Sequence, residues 1–246
     1  MNRIVTLNKC INKVAVKALL DKKLHAVIVK DFIDEPTRLH ALSFIKDKHL
    51  MDYTHDTITT NGDRKYESYG VWKYGRTLNE CFNGNLWEEY FQSAKYMNYL
   101  YQQHFVEHQF PTDKVLTELN RTFGCYIPNI NGNILACGIF RVMRGNDPNA
   151  KNLELKPHID TVPRHILDIK HQCSANIYLD VPPVGGELVV YGDDGTLDII
   201  KPSVRDLILI STERYHSVNS FREGSRITDN NFFASLNHSD TLIGWN

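Results

Sequence analysis

From about residue 134 onward the chain is written as short β-type runs separated by turn formers, and this restricts the available folds more than any other feature. The runs are ILACGIFRVM, SANIYLDV, GELVVYG, LDIIKP, DLILIS, HSVNSF and RITDNNFFASL, with VPPVGG, GDDG and REGS among the intervening turns. Seven or eight short strands with tight turns must bury their apolar faces against one another, which points to a sandwich or jelly roll. Residues before this region read differently. HAVIVKDFI is a β-branched run, and Asp34 follows as a helix N-cap with Glu35 and Pro36 in the first turn and Leu39, Leu42 and Ile45 on the apolar face. A second helix, LWEEYFQSAKYMNYLYQQHF, is opened by Gly84 or Asn85 and repeats Leu86, Tyr90, Ala94, Met97 and Tyr101 at helical spacing. A third, TDKVLTELNRTF, takes Thr112 or Asp113 as its cap. The aromatic stripe is read as the face that covers a sheet.

No repeat or low-complexity linker interrupts the 246 residues, so one domain is expected. Its parts are helical support and a lid over about 1–133, a β core over about 134–236 and a C-terminal tail over 237–246. The expected fold is mainly β with flanking helices packed on one sheet. A net charge of −1 without long runs of either sign gives no footprint for nucleic acid or an anionic membrane. No apolar run is long enough to span a bilayer, and the N-terminus lacks the apolar core of a secretory signal. Cys10, Cys81, Cys125, Cys137 and Cys173 are odd in number and lack CxxC spacing, so they read as reduced thiols in a cytoplasmic protein.

Chemistry concentrates in LKPHIDTVPRH. If PHID is extended, His158 and Asp160 project to the same side, because side chains alternate along a strand. Pro157 favours the extended form of the residue before it. His216 in STERYHSVNS supplies a second imidazole, and two imidazoles with one carboxylate make the facial triad typical of non-haem Fe(II) oxygenases. Zinc in a closed structural site would take a fourth protein ligand. Arg226 in EGSRITDNNFF suits a bidentate pair with a dicarboxylate, and Thr228, on the same strand face, can add a hydroxyl.

With HID, IYLD, GGEL, KPSVRDLILI, His216 and EGSRIT in this order, the chain resembles the Fe(II)- and 2-oxoglutarate-dependent dioxygenases, in the branch similar to prolyl hydroxylases. The resemblance covers roughly residues 134–236; upstream it extends only to VIVKDFID followed by a helix. It implies a cupin-like double-stranded β-helix, iron held by His158, Asp160 and His216, and 2-oxoglutarate with its far carboxylate on Arg226 and Thr228. Asn176 and Tyr178, on one face of SANIYLD, are candidate contacts of the co-substrate. The implied reaction consumes O2 and 2-oxoglutarate, releases succinate and CO2, and hydroxylates a C–H bond. In related halogenases a small residue replaces the acidic ligand, so Asp160 favours hydroxylation.

Within this branch some members modify peptides and others free amino acids, the latter including a group similar to the lysine halogenases. Arg76 in YGVWKYGR, as an anchor for a substrate carboxylate, and Trp245 in LIGWN, folding back over the iron, lean towards a free amino acid, and Asn231 is a further pocket candidate. A peptide or protein hydroxylase is the alternative, and a non-catalytic cupin-like metal-binding protein a third reading. The segment THDTITTNGDRKYESYGVWKYGR is expected to form a lid with the tail. Arg164, His165 and His171 follow the HxD pair and receive no role.

Overall fold

The computed structural model describes residues 3–58, 64–78, 86–105, 109–146, 153–160 and 163–246. Cys81, the expected helix openers Gly84 and Asn85, part of the expected lid (59–63), residues 147–152 and residues 161–162 of LKPHIDTVPRH lie outside them.

The described β runs form two facing sheets. The larger contains β1 (Ile4–Asn8), β2 (Ala26–Lys30), β3 (Met51–Ile58), β4 (Arg64–Tyr74), β7 (Ile139–Arg144), β9 (Ile169–Asp180), β12 (Leu207–Ser211), β14 (Ser225–Leu236) and β15 (Ser239–Trp245). Its order is β1-β2-β12-β9-β14-β7-β4-β3, with β15 beside the end of β14. The smaller has the order β11-β10-β13-β8, from β8 (Leu155–His158), β10 (Leu188–Tyr191), β11 (Leu197–Ile200) and β13 (His216–Val218). A short hairpin of β5 (Asn129–Ile130) and β6 (Asn133–Ile134) stands apart. The result is a double-stranded β-helix, in which consecutive strands cross between sheets and leave an interior space.

Helices cover the outer face of the large sheet: α1 (Lys13–Leu20), α2 (Glu35–Lys46), α3 (Trp87–His104) and α4 (Pro111–Phe123). Val16 and Leu19 of α1, Phe44 of α2, Tyr101 of α3 and Leu119 of α4 share one apolar cluster with Val142, Ala175, Ile177, Leu209 and Phe233 of the sheet. Between the sheets, Tyr178, Ile208 and Ile210 meet Leu188, Val190 and Ile200. Asp34 caps α2 as expected, its carboxylate accepting from the Thr37 N–H at 2.9 Å. Asn12 does the same for α1, a helix not among those expected. α4 begins at Pro111, its N-cap Phe110 lying two residues before the nearer expected cap Thr112, and ends at Gly124 in the left-handed region.

The structure adds to three expectations. Besides the four helices, the described residues before 134 contribute β1 to β4, which extend both edges of the large sheet. The segment expected as a lid largely forms β3 and β4, with β4 paired to β7. The expected tail is a strand, since β15 pairs with β14 from Phe232↔Trp245 to Leu236↔Ser239. The paired glycines of the GGEL run have a local reason: Gly185 and Gly186 have φ of +81° and +72°, and a Cβ on Gly185 would collide with the Ser220 carbonyl. This turn delivers β10 to its place beside β13.

Candidate metal and anion site

β8 and β13 are antiparallel neighbours in the small sheet, and their register sets His158 directly opposite His216. The two imidazole centroids are 4.4 Å apart. Asp160 follows just past the end of β8, held by its N–H donating to the Thr212 carbonyl at 3.1 Å. Its carboxylate stands 3.7 Å from Nε2 of His158 and 3.5 Å from Nε2 of His216. One ligand atom from each residue lies within 4.8 Å of the others, and among the described residues this is the group of His, Cys, Asp and Glu able to hold a metal ion. Cis ligands of a shared ion bonded at about 2.1 Å stand on the order of 3 Å apart, so the triad needs little contraction to close on one.

Both rings are oriented in the same way. Nδ1 of His158 lies 2.8 Å from the Lys156 carbonyl and Nδ1 of His216 lies 3.0 Å from the Arg214 carbonyl. A carbonyl only accepts, so each Nδ1 carries a proton, and each Nε2 is directed towards the Asp160 carboxylate, where it can ligate an ion once it gives up any proton it holds. Burial lowers the His158 pKa below the usual histidine value, helped by the neighbouring His216. Burial pushes Asp160 up, but the polar contact with His216 and the charges of both imidazoles and Arg141 outweigh it, and the carboxyl lies below its usual range. For His216 burial acts downward and the Asp160 carboxylate more than offsets it, leaving the imidazole raised.

The triad opens into a narrow cavity between the sheets, whose walls include Ser174, Asn176, Arg226, Asn230 and Phe232. Arg226 is 6% exposed. Its Nη2 donates to the Tyr178 hydroxyl at 3.0 Å and its guanidinium carbon lies 5.0 Å from the Tyr178 ring centre, while its Nε has no hydrogen-bond partner among the described residues. A buried guanidinium with no carboxylate beside it among the described residues is costly, so this position calls for an anion. Beside it runs a polar ladder across β14 and β9. The Thr228 hydroxyl donates to the Asn230 carbonyl at 2.6 Å, the Asn230 amide donates to Asn176, and the Asn176 amide reaches the Ser174 hydroxyl at 3.0 Å. The donor set and this unpaired buried cation fit a divalent ion and a dicarboxylate together.

The structure thus brings together His158, Asp160, His216, Arg226, Thr228, Asn176 and Tyr178. It does not bring Arg76 or Trp245 to the cavity. Arg76 follows β4, where its N–H donates to the Ser93 hydroxyl at 3.2 Å, and it is not among the residues lining the cavity. Trp245 is wholly buried on β15 and stacks on Phe232 with ring centres 6.1 Å apart, so it backs a cavity wall instead of folding over the site. Asn231 touches the cavity, yet its amide carbonyl accepts from the Cys137 thiol at 3.1 Å and its side chain shares the helix-facing side of β14 with Asp229. Arg164 and His171 both lie against Glu213, at 2.8 and 3.5 Å. Asn230 and Arg141 are cavity residues that the motifs do not single out. Parity offers a signal: Asn230 keeps step with Arg226 and Thr228, and Arg141 is the lone charge inside the apolar run IFRVM. A larger cleft of about 480 Å³ lies between α1 and the β14–β15 turn, but it is bordered by surface lysines and lacks a converging ligand set.

No protein-family model matches the chain, and no curated protein matches it. Solved structures do match in fold. An N-substituted L-amino acid dioxygenase from Burkholderia ambifaria AMMD superposes with a TM-score of 0.58 at 11% identity, over 95% of this chain and 91% of that one. A 2OG-Fe(II) oxygenase family oxidoreductase from Burkholderia pseudomallei gives 0.50 at 14% identity, over 96% and 97%. A prolyl hydroxylase from Trichoplax adhaerens, solved with a hypoxia inducible factor oxygen degradation domain peptide fragment, gives 0.50 at 13% identity, over 89% and 88%. At such identities the likeness is one of fold: this chain has the double-stranded β-helix found in these oxygenases.

Proposed function

We propose that the whole chain is one Fe(II)- and 2-oxoglutarate-dependent oxygenase domain that hydroxylates a C–H bond of a small polar molecule, with free amino acids as the substrate class. The observation that carries this reading is the pairing of a two-imidazole, one-carboxylate cluster with a buried, unsatisfied guanidinium in one cavity. His158, Asp160 and His216 would hold the iron, and Arg226, with Tyr178 and Thr228 beside it, would take the far carboxylate of 2-oxoglutarate. Bound iron with 2-oxoglutarate and O2 supplies an oxidation coupled to decarboxylation, giving succinate, CO2 and a hydroxylated product.

The residues around that chemistry have separable tasks. The Lys156 and Arg214 carbonyls fix the tautomers of the two histidines, so both approach an ion through Nε2. Asp160 brings a negative charge that offsets part of the ion's, and its retention supports hydroxylation over halogenation. The ladder from Thr228 to Ser174 holds the floor of the cavity in one arrangement. Leu188, Val218 and Phe232 exclude water from part of the wall. A small substrate suits a site enclosed between two sheets, where the side chains of Asp160 and His216 keep only 14% and 9% of their exposure. The cysteines that the structure describes, Cys10, Cys125, Cys137 and Cys173, are free thiols, which supports an intracellular setting. No helix among the described residues is long and apolar enough to cross a membrane.

The test is a screen of the twenty amino acids for stimulation of succinate formation from 2-oxoglutarate, with product masses read for one added oxygen. Stimulation by a particular amino acid, lost in His158→Ala and His216→Ala, supports the reading. Succinate formed without stimulation by any amino acid would move the substrate to peptides or carrier-bound groups. Turnover that survives either histidine variant would remove the triad.

A further inference from the structure

The polar ladder between β14 and β9 has a direction, and that direction decides what it offers a ligand. The Ile208 carbonyl lies 3.4 Å from one end of the Asn176 amide, and a carbonyl only accepts, so that end is the nitrogen. The same nitrogen donates to the Ser174 hydroxyl oxygen at 3.0 Å, which leaves the Asn176 oxygen to accept from the Asn230 amide. Asn230 then turns its own oxygen to Thr228, whose hydroxyl commits its proton there. Every link therefore runs from Thr228 towards Ser174. The Asn176 amide has both of its hydrogens in use, on Ser174 and on Ile208. By contrast, the Ser174 hydroxyl proton and the second hydrogen of the Asn230 amide have no acceptor among the described residues.

Both unmet hydrogens belong to residues that line the cavity of the triad, and Ser174 and Asn230 are only 7% and 6% exposed. The two groups are held on the two polar atoms of one planar amide, that of Asn176. Ser174 stands on the triad side of the ladder. The Asp160 N–H donates to the Thr212 carbonyl, the Thr212 N–H donates to the Gln172 carbonyl at 3.3 Å, and Gln172 precedes Ser174 on the same face of β9. Tyr178, which holds Arg226, is four residues from Ser174 in the other direction. A buried donor that meets no acceptor is unfavourable, and a chain of hydrogen bonds running one way strengthens donation at its end. We infer that Ser174, aimed by Asn176 and joined by Asn230, donates to a carboxylate or carbonyl oxygen of the ligand bound at the triad. An ammonium group in that place only donates and would leave both hydrogens unmet. This rests on the oxygenase reading and deepens it, adding a ligand contact that the sequence motifs do not single out. The acceptor oxygen has two possible sources, the metal-facing end of 2-oxoglutarate or the substrate.

Anaerobic calorimetry on the full chain loaded with Fe(II) tests this. The first probe is 2-oxoglutarate, and the second is each of the twenty amino acids titrated with 2-oxoglutarate bound. Ser174→Ala should weaken at least one of these probes by about tenfold or more, as expected for a lost hydrogen bond to a charged oxygen. Ser174→Thr keeps the hydroxyl and should recover most of that loss. Fe(II) affinity, read in the same titrations, should not change, because Ser174 is not a ligand of the ion, whereas a general loosening of the site would lower it. Weaker 2-oxoglutarate binding assigns the contact to the metal-facing end of the co-substrate. Weaker binding of an amino acid at unchanged 2-oxoglutarate affinity assigns it to the substrate. Unchanged affinity in Ser174→Ala for 2-oxoglutarate and for every amino acid that binds, or an equal loss in Ser174→Ala and Ser174→Thr, overturns the inference. If the parent protein binds no 2-oxoglutarate after Fe(II) and forms no succinate, the oxygenase reading itself has failed and this inference falls with it.

Discussion

The two faces of β14 do different work with similar residues. On the cavity side Arg226, Thr228 and Asn230 spend their polar groups on one another's neighbourhood and on space between the sheets. On the helix side Ile227 and Phe233 pack under the helices, and Asp229 is buried among them with one carboxylate oxygen accepting from the Thr112 hydroxyl at 2.7 Å. The other oxygen of Asp229 has no hydrogen-bond partner among the described residues. Burial raises its pKa to about 8. A polar group facing the cavity thus keeps a ligand to meet, whereas one facing the helices is a cost the fold carries. The comparison teaches that on a single strand parity, more than polarity, separates residues of the site from residues of the core.

Substitutions on opposite faces should therefore fail in opposite ways. The largest effect belongs to the cavity side: Asp160→Ala or His216→Ala should reduce succinate formation to background while the melting temperature stays near that of the parent protein. On the helix side Phe233→Ala, at a side chain with no exposure, should cost about 3–5 kcal/mol of stability by chemical denaturation. On the proposed function, the residual folded protein should keep the same dependence on 2-oxoglutarate. Arg226→Leu should raise that requirement by about 10- to 100-fold, the worth of a charge-assisted contact of about 1.5–3 kcal/mol. Unchanged saturation would remove Arg226 from the anchor.

A further effect concerns pH. Below about pH 4 the Asp229 carboxyl is protonated whether the chain is folded or not. Between there and about 8 the unfolded chain ionises while the folded one keeps its proton, so stability falls as pH rises, by up to ~1.4 kcal/mol per unit. Above about 8 the loss stops growing. Asp229→Asn should flatten this slope, measured as denaturation midpoints from pH 5 to 9, and an identical slope in the variant would contradict a protonated Asp229.

Much of the site is legible in the amino-acid sequence. Strand alternation suggests that His158 and Asp160 share one side, and the β runs after residue 134 narrow the fold to a sandwich or jelly roll. His216 and Arg226 are legible from their order along the chain, although the register that sets His216 opposite His158 is a long-range property. Asn231 departs from its expected place for a local reason: it stands an odd number of residues from Arg226 and so turns to the other face. Trp245 reads as part of a tail because nothing local marks β15 as a strand that continues a hairpin from β14. β3 and β4 are hard to read because β4 joins the sheet through β7, which lies far along the chain, and β3 joins it only through β4. Arg141 is inconspicuous because a single charge in a strand reads as solvent-facing until the second sheet is in place above it.

The central claim is that His158, Asp160 and His216 form one ion site to which 2-oxoglutarate is coupled through Arg226. Anaerobic calorimetric titration with Fe(II), followed by 2-oxoglutarate, tests it directly. The account predicts one ion per chain in the parent protein, none held at that affinity in His216→Ala, and 2-oxoglutarate binding that strengthens markedly once the ion is bound. Equal ion binding in His216→Ala, or 2-oxoglutarate affinity indifferent to the metal, would contradict it.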